Sequence, residues 1–185
     1  MRLGLVSATC LLFLVILAVS GCGDTDTKAS APSSAESDVA SAQPCPVSPV
    51  DESVDWESAN IFGGSGIGPG PVYPGLGSDG GLFSTDGDRS NGFYSGKLFW
   101  YVDPSYLGSV LIRGRRIDRR GPLRFNRVDK RELRIGPSKT VEWEGQPAGS
   151  RGVPSGVLIR AAGCYEVQIN GTDFSYTVVF WASTS

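Results

Sequence analysis

Histidine is absent from all 185 residues of the chain. Its absence removes Ser-His-Asp and Cys-His nucleophilic catalysis, the usual zinc sites and ordinary haem ligation. No serine stands three residues before a lysine, so a Ser-x-x-Lys nucleophile is missing as well. The nearest thing to a Gly-x-Ser-x-Gly elbow is Gly63-Gly64-Ser65-Gly66-Ile67, which ends in isoleucine. No segment carries a convincing apolar period of 3.6, which leaves amphipathic helices out of the architecture. Cysteine is sparse, at four residues: Cys10, Cys22, Cys45 and Cys164. Nothing in this set implies a cofactor.

The first residues, MRLGLVSATCLLFLVILAVSGC, place one cation, Arg2, before an apolar run that ends in small residues. That is the order of an export signal. The run is long enough for a membrane span, but Val19-Ser20-Gly21-Cys22 resembles the bacterial lipobox, whose cysteine is diacylated and becomes the mature N-terminus. On this resemblance residues 1–21 are a signal peptide, and Cys22 is the lipid attachment site of an extracytoplasmic, membrane-anchored protein. Two acyl chains give stable anchoring where one is marginal. Such a location keeps the chain from nucleic acid and leaves phospholipid headgroups, envelope polymers and other envelope proteins as partners.

Residues 22–44 continue as Ser, Ala, Asp and Pro with almost nothing to bury, a composition expected to stay disordered. As a coil this tether would span roughly 25 Å. Residues 45–185 form one expected domain, all-β, rich in Gly and Pro turns. KLFWYV (97–102), SVLIR (109–113), TVEWE (140–144) and GVLIRAA (156–162) read as strands. Residues 63–92 read as long loops around a short segment at Val72-Tyr73. The last strands, 164–181, are expected to fold into a hairpin about Asn170-Gly171, whose residues tolerate a type I′ turn. That register sets Ile169 against Thr172, Val167 against Phe174 and Tyr165 against Tyr176. Many short strands without helices point to a β-sandwich of the immunoglobulin type, with a barrel as the other option. With Cys10 removed and Cys22 lipidated, Cys45 and Cys164 remain to form a disulfide, as pairs of thiols in exported proteins do.

Between Arg113 and Arg134 lie ten basic side chains and three acids, in a protein of formal net charge −2. Nine of the ten are arginine, the residue suited to bidentate phosphate or carboxylate contacts. Arg115, Arg116, Arg119 and Arg120 are the candidate anion-binding set. Leu123 and Phe125 alternate with Arg124 and Asn126, and Leu133 and Ile135 flank Arg134, as on strands with one face in a core. The plainer interpretation of the stretch is therefore a solvated sheet face, partly neutralised by Asp118, Asp129 and Glu132. The functional one is a cationic face for an anionic lipid or envelope polymer.

Other chemistry is weaker. Glu142 and Glu144 would share a strand face, and with Glu57 and Asp118 they are the candidates for a histidine-free envelope glycan hydrolase working through paired carboxylates. Gly64-Ser65-Gly66-Ile67-Gly68 lacks the following helix that a phosphate loop requires. Asp86-Gly87-Asp88-Arg89-Ser90-Asn91-Gly92 spaces its oxygens wrongly for a calcium loop, places a cation inside it, and has no downstream bidentate glutamate; it reads as a turn.

Cys45-Pro46-Val47, Gly70-Pro71-Val72-Tyr73, Ile112-Arg113-Gly114-Arg115-Arg116-Ile117-Asp118, Pro154-Ser155-Gly156 and Gly163-Cys164-Tyr165-Glu166-Val167 occur in that order. Together they resemble a group of uncharacterised bacterial lipoproteins with a C-terminal immunoglobulin-like sandwich. The group more often has Trp where Tyr165 stands. The resemblance implies the sandwich, the disulfide and a surface location, places Gly114-Arg115-Arg116 in a turn, and carries no activity. The sequence thus points to a binding or structural module rather than an enzyme.

Overall fold

The computed structural model describes residues 44–87, 89–137 and 145–184. In chain order the elements are α1 (Trp56–Ala59), β1 (Val72–Pro74), β2 (Leu82–Ser84), β3 (Arg89–Ser90), β4 (Phe93–Val102), β5 (Val110–Arg116), β6 (Leu123–Phe125), β7 (Glu132–Ile135), β8 (Arg151–Ile159), β9 (Gly163–Asn170) and β10 (Ser175–Ser183). They make an all-β fold of two five-stranded sheets. The first sheet runs β1-β4-β8-β6 with β3 beside β4, and the second runs β2-β10-β9-β5-β7. From β4 to β9 successive strands alternate between the sheets, so each of these connections passes from one side of the core to the other. Among the described strands only the β2–β10 pair is parallel. Among the described residues no helix is long and apolar enough to cross a membrane.

The core follows from strand alternation. Leu98, Trp100 and Val102 of β4 and Val157 and Ile159 of β8 meet Ile112, Val167, Ile169, Val178 and Phe180 of the second sheet. Each such side chain contributes about 1.5–3 kcal/mol by leaving water. Trp100 Nε1, fully buried, donates to Ser155 Oγ at 2.8 Å, so its polar edge is satisfied inside. The odd-numbered residues Phe99 and Tyr101 face the other way. They join Tyr73, Ala59 and Ile61 in a second cluster, against which Val54 and Trp56 pack. Trp56 meets Tyr73 edge-on at 5.0 Å. β4 is thus covered on both faces at its end, which is why KLFWYV reads as a continuous apolar run.

Several sequence expectations shift. The Asn170-Gly171 hairpin forms, but Asn170 pairs with Ser175, Ile169 with Tyr176 and Tyr165 with Phe180. The loop is the four residues 171–174, closed by the Gly171 N–H donating to the Phe174 carbonyl at 2.9 Å. Tyr106 accounts for the difference. Its hydroxyl accepts from the Thr172 N–H at 2.9 Å, and its ring packs against Phe174 at 4.9 Å, holding this loop open. The slip is four residues, an even number, so the same side chains stay inward. The tight turn occurs instead at Asn91-Gly92, where both residues have positive φ (49° and 77°) and Ser90 pairs with Phe93.

The loop-rich stretch 63–92 contains β2 and β3 as well as β1. β8 begins at Arg151 and ends at Ile159, short of the expected Ala162. Gly114-Arg115-Arg116 is not a turn but the end of β5, because Arg115 and Arg116 continue the ladder opposite Glu166 and Tyr165. The expected strand 140–144, the signal and the tether up to residue 43 lie outside the described residues.

Candidate functional site

Half of the basic stretch, five of its ten cations, is spoken for by neighbouring carboxylates. On the outer face of the second sheet, Arg113 and Arg134 share Glu132, at 3.1 and 2.6 Å. Arg115 pairs with Glu166 directly across the β5–β9 ladder. Arg116 turns the other way: it binds Asp118 at 2.6 Å, lies over the Tyr165 ring at 6.0 Å, and crosses Gly163, where a Cβ would strike its guanidinium. Arg116 therefore holds the Asp118 carboxyl below the usual carboxylate range. Arg127 sits 3.5 Å from Asp129.

The four candidate anion-binding arginines are accordingly divided. Arg115 and Arg116 are engaged, while Arg119 and Arg120, exposed on the β5–β6 turn, take no part in the ion pairs found among the described residues. Arg124, on the edge strand β6, has its pKa pulled down by burial and by the like charges of Arg131 and Arg160.

The Cys45–Cys164 disulfide is present, closing a separation of 119 residues. It fastens the first described residues to the outer face of the second sheet. Ser48 extends the attachment, its N–H donating to the Val179 carbonyl and its hydroxyl accepting from the Val179 N–H, both at 2.9 Å. Beside the disulfide lies a groove of 370 Å³ lined by Pro44, Cys45, Pro46, Ile117, Asp118 and Cys164. The register places four residues of four strands in one row here. The Ile117 N–H donates to the Cys164 carbonyl at 2.8 Å, Cys164 pairs with Trp181, and Trp181 pairs with Leu82.

At the other end, Asp51, Asp55, Asp103, Tyr73 and Tyr101 line a groove of 520 Å³. The Tyr73 hydroxyl donates to Asp51 at 2.8 Å, and Ser53, Ser58 and Ser105 donate to Asp51, Asp55 and Asp103. The serine bonds hold the Asp51 and Asp55 carboxyls below their ordinary range. Burial pushes Tyr101 up to about 12 and Tyr73 further in the same direction. Around neutral pH these two acids are ionised and these two phenols protonated, so none of the four is poised as a general acid. Sequence reasoning did not single out this groove; the Asp-x-Ser repeats at 51 and 103 were the available signal.

Of the hydrolase candidates, Glu57 is exposed on α1, Asp118 is tied to Arg116, and Glu142 and Glu144 lie outside the described residues, as does Cys22. Asp88 of the would-be calcium loop also lies outside them, and among the described residues no cluster of three or more His, Cys, Asp or Glu could hold a metal. Gly66 of the glycine loop packs beneath Tyr73 and Trp56, where any side chain would collide with them. Comparison with family models, curated proteins and solved structures finds no match for this chain.

Proposed function

We propose that the protein is a lipid-anchored, extracytoplasmic binding or structural module of the bacterial envelope, attached through Cys22, whose two sheets form an immunoglobulin-like sandwich presenting a basic surface to an anionic partner. The observation that carries this is the Cys45–Cys164 disulfide. Such a bond belongs to an oxidising compartment, and it fixes the fold with 22 residues between it and the lipobox cysteine. The alternation of strands between two sheets supports the sandwich. The disulfide departs from the antibody pattern: it joins an N-terminal strap to the outside of one sheet rather than linking the two sheets. The resemblance to envelope lipoproteins points the same way. A hydrolase is the weaker proposal, since of the two described candidates Asp118 is already neutralised by Arg116 and Glu57 is exposed on α1.

The test is metabolic labelling with palmitate, together with membrane fractionation. The native chain is expected to carry label and to sediment with membranes, and Cys22→Ala to lose both. Label that survives the substitution would overturn the assignment.

A further inference from the structure

The outer face of the second sheet carries an apolar row at the end where the chain enters the fold. Across four adjacent strands it reads Ile117, Cys164 with its disulfide to Cys45, Trp181 and Leu82. At inter-strand spacing the row is about 14 Å wide. Its large side chains are not covered: Trp181 is 42% exposed, and Ile117 and Leu82 are each 37% exposed. Exposed tryptophan beside aliphatic side chains is costly on a face that only meets water, and it suits a boundary between headgroups and water. Arg119 and Arg120 follow Ile117 after Asp118, whose carboxylate is held by Arg116, on the turn beside the row, and lack a carboxylate partner among the described residues. One step further along the sheet the next cation, Arg115, is already neutralised by Glu166. Arg124, Lys130 and Arg131 also lack an ion pair among the described residues, but they belong to β6 of the other sheet and to the β6–β7 connection, so Arg119 and Arg120 are the unpaired cations nearest Ile117 in sequence.

We propose that this row is a membrane footing: Ile117, Trp181 and Leu82 rest against a phospholipid surface while Arg119 and Arg120 take the phosphates of its anionic headgroups. The inference rests on the lipid-anchored reading. If the lipid is on Cys22, only 22 residues separate it from Cys45, and Cys45 lies in the row. The tether therefore delivers this end of the fold, rather than the groove around Asp51, to the membrane. Because the footing is tethered, weak contacts are enough, since docking is intramolecular and the local lipid concentration is high. The carboxylate nearest the far end of the row in sequence is Asp79, three residues before Leu82. The two arginines flank the opposite end, so the footing is expected to tilt toward the β5–β6 turn.

The experiment uses the full chain with its anchor, reconstituted into vesicles of phosphatidylcholine alone or mixed with phosphatidylglycerol. Part of the lipid carries brominated acyl chains, which quench nearby indoles. Trp181→Phe isolates the Trp181 signal from the other three tryptophans. Trp181 is expected to be quenched in the anionic vesicles and little in the neutral ones, with quenching released by salt. Arg119→Glu with Arg120→Glu should lower the docked-to-free ratio by at least about 25-fold, at roughly fivefold for each cation removed. Quenching that ignores lipid charge, or that survives the double reversal, overturns the proposal. So does Trp181 shielding that follows protein density rather than lipid composition, which would assign the row to a second copy. Flotation reads the anchor separately. A chain that does not float removes the anchored reading and the footing with it, whereas a floating chain with lipid-independent Trp181 emission removes the footing alone.

Discussion

The two ends of the paired sheets handle arginine in opposite ways. At the end built by Tyr106 and the β9–β10 loop, Arg151 is inside, 2% exposed. Its guanidinium donates to the Gly136 carbonyl at 2.9 Å and to the Tyr106 carbonyl at 2.7 Å, and it lies 5.7 Å over the Tyr106 ring. Among the described residues Nε has no hydrogen-bond partner, and burial pulls the group below its ordinary pKa, though not far enough for an arginine to lose its proton. At the end where the chain enters, Arg115, Arg119 and Arg120 are on the surface, while Arg116 is mostly covered. Those along β5 are matched by acids, and those on the following turn have no ion pair among the described residues. The interior cation is tolerated because backbone carbonyls converge on it, which ties its identity to packing. The surface cations are interchangeable with respect to folding, so the unmatched ones are free to serve something else. Charge density along the sequence does not mark a site.

The largest effect that separates the two ends belongs to the disulfide. Replacing Cys45 and Cys164 by serine releases a loop of 119 residues, and the chain-entropy estimate for that is about 5 kcal/mol. The denaturant midpoint should fall accordingly, and reductant should reproduce the shift in the native chain but not in the variant. Arg151 comes next. Arg151→Ala leaves a cavity and strips two buried carbonyls of their donors, at a combined cost of about 3 kcal/mol. Arg151→Met refills the volume and should recover about half. The pair Arg119→Ala and Arg120→Ala is expected to stay within about 0.5 kcal/mol of the native chain. The comparison breaks if the turn variants cost as much as Arg151→Ala.

How legible this was can be judged from two Asn-Gly pairs. Both have the right residues for a tight turn, but only Asn91-Gly92 makes one, with positive φ at both residues and Ser90 paired with Phe93. At Asn170-Gly171 the Tyr106 hydroxyl, 66 residues away in sequence, takes the Thr172 N–H and opens the loop. Local turn chemistry is readable; a distant hydroxyl acting on it is not. Inward and outward faces survived the error, since a slip of four conserves alternation. Leu123, Phe125, Leu133 and Ile135 lie in the core as their alternation indicates. The Cys45–Cys164 bond followed from counting thiols. The ion pairs did not: Glu166 neutralises Arg115 from 51 residues away, and only the β5–β9 register brings them together. The apolar row was hidden for the same reason, its members coming from four strands scattered between Leu82 and Trp181.

Titration separates the two regions in the alkaline limb alone: depressed carboxyls lie at both ends, Asp118 beside the disulfide and Asp51 and Asp55 at the groove, whereas the most strongly raised phenols gather around the groove and Tyr106. With no histidine in the chain, stability is expected to be nearly flat between about pH 5 and 8. Near the disulfide, Asp118 has its folded pKa depressed by Arg116. Its contribution is present above the unfolded value and is lost as pH falls through the folded one, so this end loosens in acid. Around the groove and Tyr106, Tyr101 is raised to about 12, and Tyr73 and Tyr176 are raised too, all chiefly by burial. Their contributions are complete below about pH 10 and vanish as pH climbs through the folded values, so that end fails in alkali. Hydrogen exchange at high pH should find the first protection losses around Val72 and Tyr101, whereas at low pH they should appear at both ends, around Ile117 and Cys164 and around Asp51 and Tyr73. Alkaline loss that begins around Ile117 and Cys164 instead would mean that the raised phenols do not decide which end opens first.

The smallest effect is also the sharpest control on the comparison. Arg115 and Glu166 face each other across β5 and β9, but the arginine side chain is 73% exposed. A pair so wet is worth about 0.2–1 kcal/mol, because water screens it and two long side chains must be ordered to form it. A double-mutant cycle with Arg115→Ala and Glu166→Ala should return a coupling in that range, shrinking as salt rises. The same cycle also tests whether neutralisation restrains the basic face. Glu166→Ala frees Arg115 one step from the apolar row, so it should strengthen attachment to anionic vesicles while slightly weakening the fold. A variant that lost stability without gaining attachment would show Arg115 to be out of reach of the membrane, confining the footing to the row and the turn beyond it.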